Sequence, residues 1–175
     1  MNKFKTLSIF CLTLLTLVSF NELDELTEFD VSQNLEATLR VDITEDSGGE
    51  PQSWSAATSV DISDNAEIQA NLNLIESVTI NSLTFKILNF VGEENAMVTD
   101  ASIRFGDTTI AVEDINLNDN STTYNLGTTA QLNTIANTLK DVSEITIAVS
   151  GTASSTPVKF DVIISLDVTT SINIL

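Results

Sequence analysis

Residues 158–168 constrain the fold more than any other stretch of the chain. Val158, Phe160, Val162, Ile164, Leu166 and Val168 fall on every second position. A strand turns successive side chains to opposite faces, so this spacing gathers six apolar groups on one face. On a helix they would be scattered around the axis. The same period recurs upstream. Phe29, Val31, Leu35, Ala37, Leu39, Val41 and Ile43 share one parity, enough for one strand or two in succession. Trp54, Ala56, Val60 and Ile62 continue it, as do Ala101, Ile103 and Phe105, then Ile110 and Val112, then Ile145, Ile147 and Val149. Val78 and Ile80 run in one phase, and Leu83, Phe85 and Ile87 in the other. The odd step at Asn81–Ser82 predicts a bulge or sharp bend.

Turn chemistry separates these runs. Gly48, Gly49 and Pro51 mark a loop over 44–53. Gly92–Asn95, Gly106–Asp107, Asp119–Thr122 and Gly151–Pro157 mark four more turns. Two segments carry helical spacing instead. Ile68, Leu72 and Ile75, with a capping pair at Asp64 and Glu67, predict a helix over 65–76. Leu132, Ile135 and Leu139, with the pair Thr128 and Gln131, predict a second over 129–141. Many short strands with regular turn signals indicate a mainly β chain. We expect one antiparallel β-sandwich of Ig-like or Greek-key type over 28–175, with two short α-helices at its ends or edges.

The N-terminal segment differs from the rest. Lys3 and Lys5 precede a run from Leu7 to Phe20 broken only by small polar residues. That order reads as a signal peptide over 1–20, too short for a spanning helix. An acidic tether follows at 21–27. Removing 1–20 takes two lysines and no acid, leaving five basic residues against 25 acids and a net charge of −20. It also removes Cys11, the sole cysteine.

Composition excludes several classes of chemistry. The chain has no His, so imidazole-based triads and imidazole metal sites are out. One Cys forms no internal disulfide and no thiolate cluster. A net charge of −18 opposes nucleic acid, whose phosphates need clustered Lys and Arg. No phosphate loop or serine–lysine motif is present. We therefore expect no enzyme. With 25 acids, no carboxylate pair of the kind a glycoside hydrolase needs is singled out.

A few residues are candidates for binding. Asp114, Asn116, Asn118, Asp119 and Asn120 present oxygen side chains at close spacing, which suits a hard cation such as Ca²⁺. The EF-hand pattern fails, however, because Asp119 holds the glycine position and Asn125 the twelfth. Glu45, Asp46 and Glu50 form a second acidic loop. Trp54, the sole Trp, adjoins the Gly/Pro loop and could offer a sugar platform, although a core role is commoner for such a residue. Tyr124 is weighed the same way.

The signal, the junction Leu17-Val18-Ser19-Phe20-Asn21 and the acidic start NELDELTEFDV resemble small exported envelope proteins of Bacteroidetes-type bacteria. So do the long first strand, the helix leading into IESVTINSLTFKI and the closing strand. Those proteins are usually lipoproteins with Ser-Cys at the junction, where this chain has Ser19-Phe20. The resemblance implies an uncharacterised β-sandwich of the cell envelope, cell surface or extracellular space and assigns no activity. It also implies O-glycosylation at Thr108, within Asp107-Thr108-Thr109. The expected function is a non-catalytic module for protein binding or assembly. Its partner is an envelope or surface protein or a second copy. Membrane association arises only through an uncleaved or lipidated N-terminus. The alternative is a carbohydrate- or calcium-binding sandwich.

Overall fold

The computed structural model describes residues 27–45, 48–119 and 122–175. The signal segment and all but the last residue of the tether lie outside them. Among the described residues nine strands form two antiparallel sheets. The strands are β1 (Glu28–Ile43), β2 (Gln52–Asp61), β3 (Ile75–Val91), β4 (Met97–Phe105) and β5 (Thr108–Ala111), then β6 (Ile115–Asn116), β7 (Tyr124–Asn125), β8 (Glu144–Ala153) and β9 (Val158–Asn173). The first sheet has the order β1-β9-β3-β7. The second has the order β2-β8-β4-β5, with β6 also paired to β4.

The two sheets face each other across one apolar core. Phe160, Phe85 and Ile164 contribute from the first sheet; Phe105, Ile103 and Ile147 contribute from the second. All six are essentially inaccessible to solvent. This is the expected antiparallel sandwich, and its cause is the period-two pattern. Each strand lays its apolar parity inward and its Ser, Thr and charged parity outward. Burying a side chain such as Phe160 or Ile164 contributes about 1.5–3 kcal/mol relative to leaving it in water.

The last two strands occupy the middle of the sheets. β8 lies between β2 and β4, and β9 lies between β1 and β3. The clean alternation at 158–168 therefore belongs to a central strand hydrogen-bonded on both sides. Bulges concentrate on β3, whose pairing with β9 shifts between Ile75 and Ser77, Ile80 and Ser82, and Leu88 and Val91. The second shift is the phase change expected at Asn81–Ser82.

The helices differ from expectation in one case. α2 (Thr129–Val142) starts at the predicted capping box. Thr128 accepts from the Gln131 backbone, and the Gln131 side chain accepts from the Thr128 backbone. The segment predicted as a helix over 65–76 forms instead a short helix α1 (Ala66–Ala70), a 3₁₀ turn (Leu72–Leu74) and the start of β3, with another 3₁₀ turn (Ile62–Asp64) just before it. Asn65 caps α1, its side chain accepting from the Glu67 and Ile68 backbones. Asn71 ends it, with its Nδ2 donating to the Glu67 carbonyl at 2.9 Å. Asn side chains compete for backbone groups in this way and so favour helix ends.

Candidate functional site

The lateral sides of the sandwich are built differently. On one side α2 packs against β3, β5 and β8. It places Ile135, Ala136 and Leu139 in the core. The strands flanking it are short, with two residues in β7 and four in β5. Tyr124 of β7 stacks on Phe85 with ring centroids 4.8 Å apart and planes 15° apart. The outer edge of β3 is thus covered by β7 and the helix.

The opposite side is formed by β1 and β2. They are neighbours in space but lie at the edges of different sheets. β1 pairs with β9 over 16 consecutive positions without a register shift, and β2 pairs with β8 over ten. Neither strand contains Pro or a bulge. In an antiparallel pair every second residue of an edge strand turns its N–H and C=O away from its neighbour. Among the described residues no backbone hydrogen bond joins β1 to β2. At the corner Gln33 Nε2 donates to the Ile62 carbonyl at 3.1 Å.

The two edges carry different charge. β1 holds Glu28, Asp30, Glu36, Arg40 and Asp42, and β2 holds only its last residue, Asp61. From Gln52 to Val60, β2 is uncharged in a chain of net charge −18. Its outward side chains are Ser53, Ser55, Ala57 and Ser59, all exposed.

One carboxylate is buried on the outer face of the first sheet. Asp161 is 5% exposed near the start of β9. Asn89 Nδ2 donates to its Oδ2 at 2.7 Å, and Arg40 Nε donates to its Oδ1 at 3.2 Å. Asn89 reaches it from the left-handed conformation, at φ +55°, beside the Leu88–Val91 bulge. The Asn89 hydrogen bond, with help from Arg40 and Lys159, holds Asp161 below the usual aspartate range, although burial pushes the other way. The cluster ties β1, β9 and β3 together across the sheet.

The residues singled out in the sequence are dispersed. The indole of Trp54 is half-buried and meets the Phe160 ring edge-on, with centroids 5.3 Å apart. Its β-ladder partner is Gly151. A Cβ on Gly151 would stand 2.7 Å from Val98 Cγ1 and 3.4 Å from Trp54 Cζ2. Glycine therefore gives the indole and Val98 their room. Trp54 Nε1 is buried without a hydrogen-bond partner beside an apolar void of about 20 Å³. Such a void is about the size of one water molecule.

Asp114 and Asn118 are exposed. The Oδ1 of Asn116 accepts from the Asn118 backbone at 2.9 Å, and the Oδ2 of Asp119 accepts from Thr122 Oγ1 at 2.6 Å. These oxygens brace their own turn. Asn120 lies outside the described residues, as does Asp46 of the other acidic loop. Among the described residues no three acidic side chains converge as a metal group would require. Thr108 opens β5 just after the Gly106–Asp107 turn, half-buried beside the exposed Asp107. The feature missed in the sequence is the open pair of edges. The lack of charge from Gln52 to Val60 is visible there, but its meaning depends on β2 being an edge.

No family model and no curated protein sequence matches the chain. Among solved structures, the decameric BFDV capsid protein is similar at a TM-score of 0.39 and 6% identity, over 82% of this chain and 98% of that one. The structure titled Desmodium yellow mottle tymovirus is similar at a TM-score of 0.25 and 11% identity, over 84% of each chain.

Proposed function

We propose that this chain is a non-catalytic, exported β-sandwich of the cell envelope or cell surface that binds or assembles with protein. The observation that supports this most is the open lateral side, with two long, regular strands whose outer backbone groups have no partner in the sheets. Strand edges of this kind are templates for another chain. The apolar run from Leu7 to Phe20 behind Lys3 and Lys5 supports export. The acidic surface favours a basic or cation-coated partner and makes its association salt-sensitive.

Cross-linking mass spectrometry on the native envelope tests the proposal. The expected result is cross-links from β1 or β2 to protein, and an N-terminus near Asn21 in the isolated chain. A monomer without protein neighbours that turned over a substrate would sink it.

A further inference from the structure

We propose that β2 pairs with β2 of a second copy of this chain, antiparallel and about a two-fold axis, so that the second sheets of the two copies become one continuous sheet. This rests on the assembly reading above and names the surface and the partner. Three observations converge on β2. It is a ten-residue edge strand in unbroken register with β8. Among the described residues it has no bulge, no Pro and no strand hydrogen-bonded along its outer edge, and its neighbour β1 packs beside it without pairing. It is also uncharged over Gln52–Val60.

The last point selects the occupant. Two copies, each of net charge −18 or more negative, repel one another, and contact costs least where neither carries charge. β1 fails that condition, because Glu28, Asp30, Glu36 and Asp42 outnumber Arg40, and self-pairing would crowd the acids of both copies along one edge. β2 meets it.

Geometry also restricts the register. Residues opposite one another must share a sheet face, so the two-fold axis passes through a residue and not between two. A pivot at Ala56 pairs Gln52 with Val60, Ser53 with Ser59, Trp54 with Thr58 and Ser55 with Ala57. Asp61 then falls beyond the paired run. A single strand pair buries a small interface, so the dimer should be weak and concentration-dependent. Screening the remaining acidic repulsion should tighten it, and self-association should rise with salt.

The test uses the chain from Asn21 to Leu175, which contains every described strand and core residue. Sedimentation equilibrium is measured at low and high salt for this chain and for Ala57→Lys and Ala111→Lys. Ala57 and Ala111 are both exposed, and Ala111 lies on β5 at the helix-closed side. The expected result is a salt-strengthened dimer that Ala57→Lys weakens by about tenfold or more and Ala111→Lys leaves intact. Ala56→Cys should give a disulfide-linked dimer on oxidation, because paired Cα atoms at about 4.5–5.5 Å lie in bridging range and the chain from Asn21 has no other Cys. A chain that stays monomeric, or a dimer indifferent to Ala57→Lys, overturns the inference. If such a chain still cross-links to an envelope protein through β1 or β2, self-pairing fails and the assembly reading stands.

Discussion

The two lateral sides of this sandwich solve the same problem in opposite ways. On the helix side, β5, β6 and β7 are two to four residues long, and α2 lies against β3. Little backbone is left for another chain to address. On the other side, β1 and β2 run for 16 and ten residues in unbroken register with β9 and β8, and the Gln33–Ile62 hydrogen bond crosses the corner between them. Edge strands are a liability unless they are shortened, bulged, charged or covered. One side uses shortening and covering, β1 uses charge, and β2 uses none of these. Among the described strands β2 is thus a long edge that none of these devices protects, which makes it the place to look for a partner.

The largest expected effect comes from breaking the closed side. Leu139 of α2 is fully buried against the sheets. Leu139→Ala should cost about 2–5 kcal/mol from lost burial and the cavity left behind. The helix would also loosen from β3, so aggregation should increase beyond what instability alone produces. Urea unfolding measures the first effect. Thioflavin binding at matched fraction folded measures the second, and equal binding by wild type and variant would remove the protective role assigned to α2.

The next test acts inside the open side. Gly151 faces Trp54 across the ladder and lies tight against Val98. Gly151→Ala should cost about 1–3 kcal/mol, because a Cβ there forces Val98 or the indole to move. The Trp fluorescence of the folded variant should shift with it. An unchanged spectrum and stability would show that the indole is not wedged where we place it.

Much of this fold is legible in the sequence because its causes are local. The alternation at 158–168 identifies a strand by itself, and the Thr128–Gln131 pair starts α2 where it was expected. The bulge near Asn81 is visible as a change of phase. What is not legible depends on distant partners. Nothing in 158–168 says that β9 sits between β1 and β3, because each pairing closes a loop of dozens of residues. The helix predicted over 65–76 fails for a nearer reason: Asn65 and Asn71 bind the backbone of α1 and confine it to five residues. Trp54 follows the same logic. Its place beside a Gly/Pro loop allows an exposed platform as well as the commoner core role, and Phe160, more than a hundred residues away, supplies the surface it packs on.

A smaller effect concerns the face that joins β1 to the protected half of the first sheet. Asp161 is held below the ordinary aspartate value of 3.8 by Asn89, Arg40 and Lys159. A carboxyl with a depressed folded pKa stabilises the protein fully above its unfolded pKa, and that stability is lost as pH falls through the folded value. Asp161→Asn should therefore lower the melting temperature at neutral pH and make it fall less steeply below about pH 4. The difference between variant and wild type is thus the quantity to read. A constant difference from neutral pH to pH 2 would show that Asp161 contributes packing and not charge.

The smallest expected effect returns to the helix that closes the protected side. The Thr128 Oγ1 accepts from the Gln131 backbone N–H at 3.3 Å, and Gln131 Oε1 accepts from the Thr128 N–H at 2.9 Å. Gln131 Nε2 also donates to the Thr109 carbonyl at 3.2 Å, which ties the first turn of α2 to β5. Thr128→Ala removes one orphan-donor partner and should cost about 1 kcal/mol. Gln131→Ala removes the reciprocal bond and the tie to β5, so its cost should be larger. Amide exchange should then quicken over the first turn of α2 in both variants, and at Ile110 and Ala111 only in Gln131→Ala. If the two variants loosen β5 equally, the cap and not the Gln131 bridge couples the helix to the sheet.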